Sequence, residues 1–86
     1  MTMGELVSKY IQNTKRVFKE MRITQSSVLI DEERIEAVIE TAKRYLEDAK
    51  YYQDEKKLET GLASVAYSEG LLDALRLLGA VEFSWR

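Results

Sequence analysis

Three charged residues interrupt a stretch near the C-terminus that is otherwise apolar but for Ser64 and Ser68: Glu69, Asp73 and Arg76, at spacings of four and three. On a helix these spacings stack them on one side, a turn apart. Buried, such a wedge of two carboxylates and a guanidinium needs its own ion pairs or a polar ligand. Exposed, it is a narrow strip with Asp73 and Arg76 paired at i,i+3. The exposed strip is the arrangement expected here. A second acidic grouping, Glu36, Glu40 and Glu47, could in principle bridge a divalent cation. Lys43 and Arg44 lie among those carboxylates, so a solvated helix surface is the expected reading, with Glu40 and Arg44 forming an i,i+4 pair.

Chemistry that needs other residue types cannot be built from this chain. It contains no histidine and no cysteine. Ser-His and Cys-His nucleophiles, zinc sites of imidazole or thiolate type, and the Glu-x-x-His pairs of di-iron bundles are therefore excluded. The glycines at 4, 61, 70 and 79 are scattered, whereas a phosphate-cradling loop clusters them. No catalytic residue, no cofactor and no metal site is expected.

The net charge of −2 hides an asymmetry. Residues 1 to 22 carry five basic side chains and two acidic ones, a surplus of +3, which leaves −5 on the remainder. The basic face of this first segment could touch phosphate groups. The chain is nevertheless acidic overall and lacks a recognisable nucleic-acid module, so nucleic acid is not the expected partner. No run approaches the roughly 20 apolar residues of a membrane span. An in-plane membrane helix explains the apolar stripes less well than bundle packing does. Glu5, Lys9 and the spaced apolar residues of the N-terminus do not form a signal-peptide pattern, and a cytoplasmic protein is expected.

The elements that must position these residues are helical. Eighty-six residues allow one domain, and the absence of proline removes the strongest helix breaker. From Met3 through Val7, Ile11 and Phe18 to Met21, apolar residues recur in steps of three and four, with Lys9, Lys15, Arg16 and Lys19 opposite. That spacing predicts an amphipathic helix over 3–22. Weak helix formers from Thr24 to Ser27 predict a loop. Asp31 then reads as an N-cap, with Ile30 and Ile35 spaced for a hydrophobic staple. A second stripe from Ile35 to Tyr52 predicts a helix over 32–54, and a polar turn at 54–57 leads to a third over 58–78. The third is apolar around most of its circumference. Ala63, Ala66, Gly70 and Ala74 line up as small residues that would let another helix approach closely. Gly79 suits the left-handed position that ends a helix. In the tail, residues 80–86, Val81, Phe83 and Trp85 alternate with polar residues, as in an extended segment laid on a groove. Left free they would form an apolar patch, so they dock on the bundle or bind another chain. The fold class expected is all-α: an up-and-down three-helix bundle with left-handed twist and a short apolar C-terminal tail.

Two segments carry a family resemblance: Ala42-Lys-Arg-Tyr-Leu-Glu-Asp-Ala-Lys-Tyr-Tyr52 and Ala63-Ser-Val-Ala-Tyr-Ser-Glu-Gly-Leu-Leu-Asp-Ala-Leu-Arg-Leu-Leu-Gly79. The chain resembles the archaeal domain of unknown function 357 family, small helical proteins that also occur attached to cytidylyltransferase-like domains. The likeness spans about residues 31–79, and Tyr67 to Ala74 is its most specific part. It implies an up-and-down three-helix bundle from an archaeal cytoplasm and brings no assigned mechanism. This sequence departs from the pattern in the turn, where a Gly-Asp is usual and Asp54 to Leu58 stands instead. The nucleotidyltransferase domain is absent from this stretch, so its activity does not carry over. The helical hairpin is also similar to a single tetratricopeptide unit, but no second copy follows. A likeness to helical ribonucleases of defence systems stops at their Arg…His motif, which this chain cannot form.

The functional expectation is a small helical binding or assembly module without catalysis of its own. Its partner would be a second copy of the chain, as a homodimer, or an unidentified protein. Glu69, Asp73, Arg76, Phe83 and Trp85 are the candidate interaction surface. The alternative is an accessory domain that binds a nucleotide-like or RNA ligand for a separate enzyme, through the acidic-basic wedge or the basic face of the first helix.

Overall fold

The computed structural model describes residues 1–23 and 30–85, and the loop expected at 24–27 lies outside them. Helix α1 (Met3–Glu20), helix α2 (Glu32–Asp54) and helix α3 (Leu58–Leu77) form an all-α bundle. Two short strands, β1 (Arg22–Ile23) and β2 (Val81–Glu82), pair antiparallel with Arg22 opposite Glu82 and Ile23 opposite Val81.

Helices α1 and α2 begin where a side chain can satisfy a free backbone amide, whereas α3 starts at Lys57 without a side-chain cap. At α1 the Thr2 hydroxyl accepts from the Glu5 amide at 3.1 Å, while the Glu5 carboxylate accepts from the Thr2 amide at 2.9 Å. This reciprocal pair satisfies two of the four orphan donors of the first turn. At α2 the Asp31 carboxylate accepts from the Arg34 amide at 2.8 Å, as an N-cap should. Ile30 packs against the cluster that holds Ile35, which completes the staple. Helix α1 is shorter than its apolar spacing suggests. Met21 turns to an extended conformation, ψ 139°, because the chain must enter the β1–β2 ribbon at Arg22.

The α2–α3 turn contains no glycine, yet it closes as a glycine-ended helix does. Lys56 adopts φ +60°, the left-handed region. The Lys57 amide donates to the Tyr52 carbonyl at 2.8 Å and the Lys56 amide to the Gln53 carbonyl at 3.1 Å. These are the two bonds of a Schellman motif, with a lysine where glycine is usual. Helix α3 ends the same way with its glycine in place. Gly79 has φ +77°, and the Ala80 amide donates to the Leu75 carbonyl at 2.9 Å.

The helices run up, down and up. The Gln53 side chain bonds Ser8, and Val17 shares a cluster with Ala42, so α1 and α2 are antiparallel. Thr14 lies beside Glu69 and Gly4 beside Leu58, so α1 and α3 are parallel. Val7, Ile11, Leu46, Ala49 and Val65 fill one end of the core. Val17, Ala42 and Leu72 fill the middle, and Ile35, Ile39, Leu75, Ala80 and Val81 the other end.

The face that α3 buries is not the one its small residues mark. Gly61, Val65, Ser68, Leu72 and Leu75 point inward, and Ala63, Ala66, Gly70 and Ala74 are exposed. Close approach of α2 and α3 is made instead by Gly61 and Ser68 against Ala49 and Ala42. A Cβ on Gly61 would stand 3.4 Å from the Ala49 carbonyl oxygen. The Ser68 hydroxyl donates to the Ala42 carbonyl at 2.7 Å, which satisfies it in full burial. The physical reason is shape. The inward stripe of α2 offers two alanines as hollows, and α3 docks its own short side chains there to keep the leucines and valines beside them in contact.

Candidate interaction surface

Glu69, Asp73 and Arg76 come together on the α1 side of α3, half-exposed. Asp73 is the hub. One of its carboxylate oxygens accepts from Arg76 Nε at 3.0 Å, from Arg76 Nη2 at 2.9 Å and from the Trp85 indole Nε1 at 3.0 Å. The Trp85 bond and then the Arg76 bonds hold the Asp73 carboxyl below the usual carboxylate range, because each favours the charged form. The i,i+3 pairing expected for Asp73 and Arg76 is present. Glu69 shows the opposite behaviour. Partial burial pushes its carboxyl up, the Thr14 hydroxyl opposes the shift, and the charge of Asp73 adds to it. No ion pair reaches Glu69 among the described residues.

The tail is docked on its own bundle. Val81 is buried, and the Phe83 and Trp85 rings meet edge to face, with centroids 4.9 Å apart at 87°. Both rings pack against the cluster of Val17, Ala42 and Leu72. Arg16 on α1 clamps the backbone: Nη1 donates to the Ser84 carbonyl at 3.2 Å and Nη2 to the Trp85 carbonyl at 3.1 Å. Of the two fates open to the apolar tail, docking on the bundle is the one observed. Phe83 and Trp85 therefore act first as a lid on the core, and Trp85 ties that lid to the polar wedge.

What remains uncovered is the outer face of α3. Ala63, Ala66, Tyr67, Gly70, Ala74 and Leu77 are all exposed, Leu77 at 73%. Tyr67 also stacks on Tyr45 of α2, with centroids 4.4 Å apart. Among the described residues, no atom of another element lies within 4 Å of where a Cβ on Gly70 would stand. Sequence spacing marked these small residues as the place where another helix would come close, whereas within the bundle that approach is made at Gly61 and Ser68. The signal that could have placed them was the second set of short residues, Gly61 and Ser68, matched in spacing to Ala49 and Ala42.

Between this face and α1 lies an open cleft of about 530 Å³, bordered by Tyr10, Asn13, Glu69, Gly70 and Trp85. A larger groove of about 870 Å³ separates α1 from α2. Its cations, Lys15, Lys19, Lys43 and Arg44, alternate with Glu40, Glu47 and Asp48, so its charge is mixed. Glu40 pairs with Lys43 at 3.5 Å, not with Arg44, whose guanidinium donates to the Thr41 hydroxyl at 3.3 Å. Among the described residues no three acidic side chains converge as metal ligands would. Nor is any described helix long and apolar enough to cross a membrane.

Comparison with curated proteins and with solved structures gives no match. Comparison with protein families matches residues 9–81 to one family, described as "Protein of unknown function (DUF357)". The match reaches well N-terminal of the segments that carried the resemblance. It takes in most of α1, all of α2 and α3, and the first residue of β2. The chain therefore belongs to the DUF357 family, with nearly the whole three-helix bundle inside the family's bounds.

Proposed function

We propose that this protein is a non-catalytic assembly module that offers the outer face of α3 to a second copy of itself. The observation that carries the reading is a helix face without a charge from Ala63 to Leu77, left open by a bundle whose tail already covers its own core. Glycine inside an exposed helix costs about 1 kcal/mol relative to alanine. Among the described residues, Gly70 meets nothing beyond its own helix that would require it. A close-approaching partner backbone is the physical reason such a residue would serve.

The face is also self-complementary. A two-fold axis through Gly70 sets Ala63 opposite Leu77 and Ala66 opposite Ala74, small against large at the ends and small against small at the centre. The strip is about 21 Å long at 1.5 Å per residue. One helix width over that length is less than the roughly 800 Å² per partner of a standard stable complex. The dimer is accordingly a weak, concentration-dependent one.

Sedimentation equilibrium from micromolar concentration to about 1 mM tests this reading. The wild type should approach twice its monomer mass at the upper end. Ala74→Glu should stay monomeric with an unchanged helical circular dichroism spectrum. A wild type that remains monomeric throughout overturns the proposal.

A further inference from the structure

The cleft between α1 and α3 holds a carboxylate whose charge no described residue neutralises. Glu69 is half-buried there. Its one hydrogen-bond donor among the described residues is the Thr14 hydroxyl, at 3.4 Å. That hydroxyl has a single proton, and the Tyr10 carbonyl lies closer to it, at 2.8 Å, as the better acceptor. Arg76 is engaged with Asp73 and makes no ion pair with Glu69, and Lys9, which also lines the cleft, makes none either among the described residues. Asp73, one turn along, adds like charge.

The surroundings are those of a receptor for an organic cation. Tyr10 and Trp85 border the cleft, and the side chain of Asn13 offers a further polar contact. A cation between a carboxylate and aromatic rings gains from both, and more so where water is partly excluded. The floor is open because α3 presents Ala66 and Gly70 there, and any side chain at position 70 would project into the space. The volume, about 530 Å³, lies in the range of small-molecule sites.

We infer that this cleft binds an alkylammonium group, with its nitrogen on Glu69 and its stem between Tyr10 and Trp85 over Gly70. The site lies within one chain and does not depend on self-assembly. It shares Ala66 and Gly70 with the proposed dimer face, so the amine and a second copy exclude one another there, and amine binding should weaken as the chain concentration rises. A free polyamine and a lysine side chain of another protein share this chemistry.

The test is a ¹H–¹⁵N NMR titration at constant ionic strength with n-butylammonium, spermidine and a lysine blocked at both ends, with n-butanol as the uncharged isostere. Saturable shifts are expected at the amides of Tyr10, Asn13, Glu69 and Gly70 and at the Trp85 indole N–H, and none with butanol. Blocked lysine binding as well as spermidine assigns the site to a protein side chain, and spermidine alone assigns it to a free amine. Glu69→Gln should weaken binding by about tenfold or more, the usual scale for removing one member of a desolvated charge pair. Gly70→Leu, which fills the floor, should abolish it while leaving the fold intact. Absence of saturation with every amine, or Glu69→Gln binding as the wild type does, overturns the inference.

Discussion

Replacing Gly70 by alanine separates what α3 does for its own fold from what it does for a partner. Outside its own stretch of helix, the new methyl group meets no heavy atom of the described residues within 4 Å, so it neither clashes nor packs against another element. Residue 70 lies in the interior of a 20-residue helix with ordinary helical backbone. The change therefore reduces to intrinsic helix preference, which favours alanine by about 0.8–1 kcal/mol. For a domain of this size, about 1 kcal/mol shifts Tm by roughly 4–8 °C. Gly70→Ala should thus raise Tm by several degrees, measured by circular dichroism at micromolar concentration so that association contributes little. Gly79→Ala makes the internal comparison. Its φ of +77° strains any side chain, and about 1–2 kcal/mol of stability should be lost. Should Gly70→Ala destabilise the monomer, the glycine is serving a contact within the chain, and the reasoning that assigns it to an outside partner fails.

Lys56→Gly should stabilise by about 1 kcal/mol, because it relieves a left-handed lysine while keeping both bonds of the turn; an unchanged midpoint in urea would refute that account. Ser68→Val removes the bond to Ala42 and adds bulk where α2 and α3 are closest. A loss of about 2–3 kcal/mol is expected, against about 1 kcal/mol for Ser68→Ala, and equal losses would show that space is not limiting there. Glu69→Gln tests the electrostatics of the cleft. The folded state raises the Glu69 carboxyl, so ionisation opposes folding: stability falls as pH rises from the ordinary carboxyl value of 4.5 toward the raised one, and stays lower above it. Removing that charge should raise Tm at pH 7 and have no such effect well below pH 4.5. An equal gain at both pH values would mean that the effect is not electrostatic.

The stripes of α1 and α2 were legible because each is apolar on one side and charged on the other, so only one face can turn inward. Asp31 was legible as a cap for a local reason, since its partner amide is three residues away. The pairing of Asp73 with Arg76 was equally local. By contrast, the third donor on Asp73 comes from Trp85, and the Arg16 clamp comes from the other end of the chain. No spacing rule connects those residues. The end of α1 was misjudged by two residues for the same reason, because Arg22 and Ile23 leave the helix to pair with residues some sixty positions away.

By itself the sequence determined that this chain is helical, where its three helices lie to within a turn, and that histidine and cysteine chemistry is closed to it. Those properties follow from residue types and from neighbours three or four positions apart. Which side of α3 is buried was decided by tertiary structure alone. A helix that is apolar almost all round has no preferred inward face until the alanines of α2 offer it a shape to fit, and the face left over became the candidate surface.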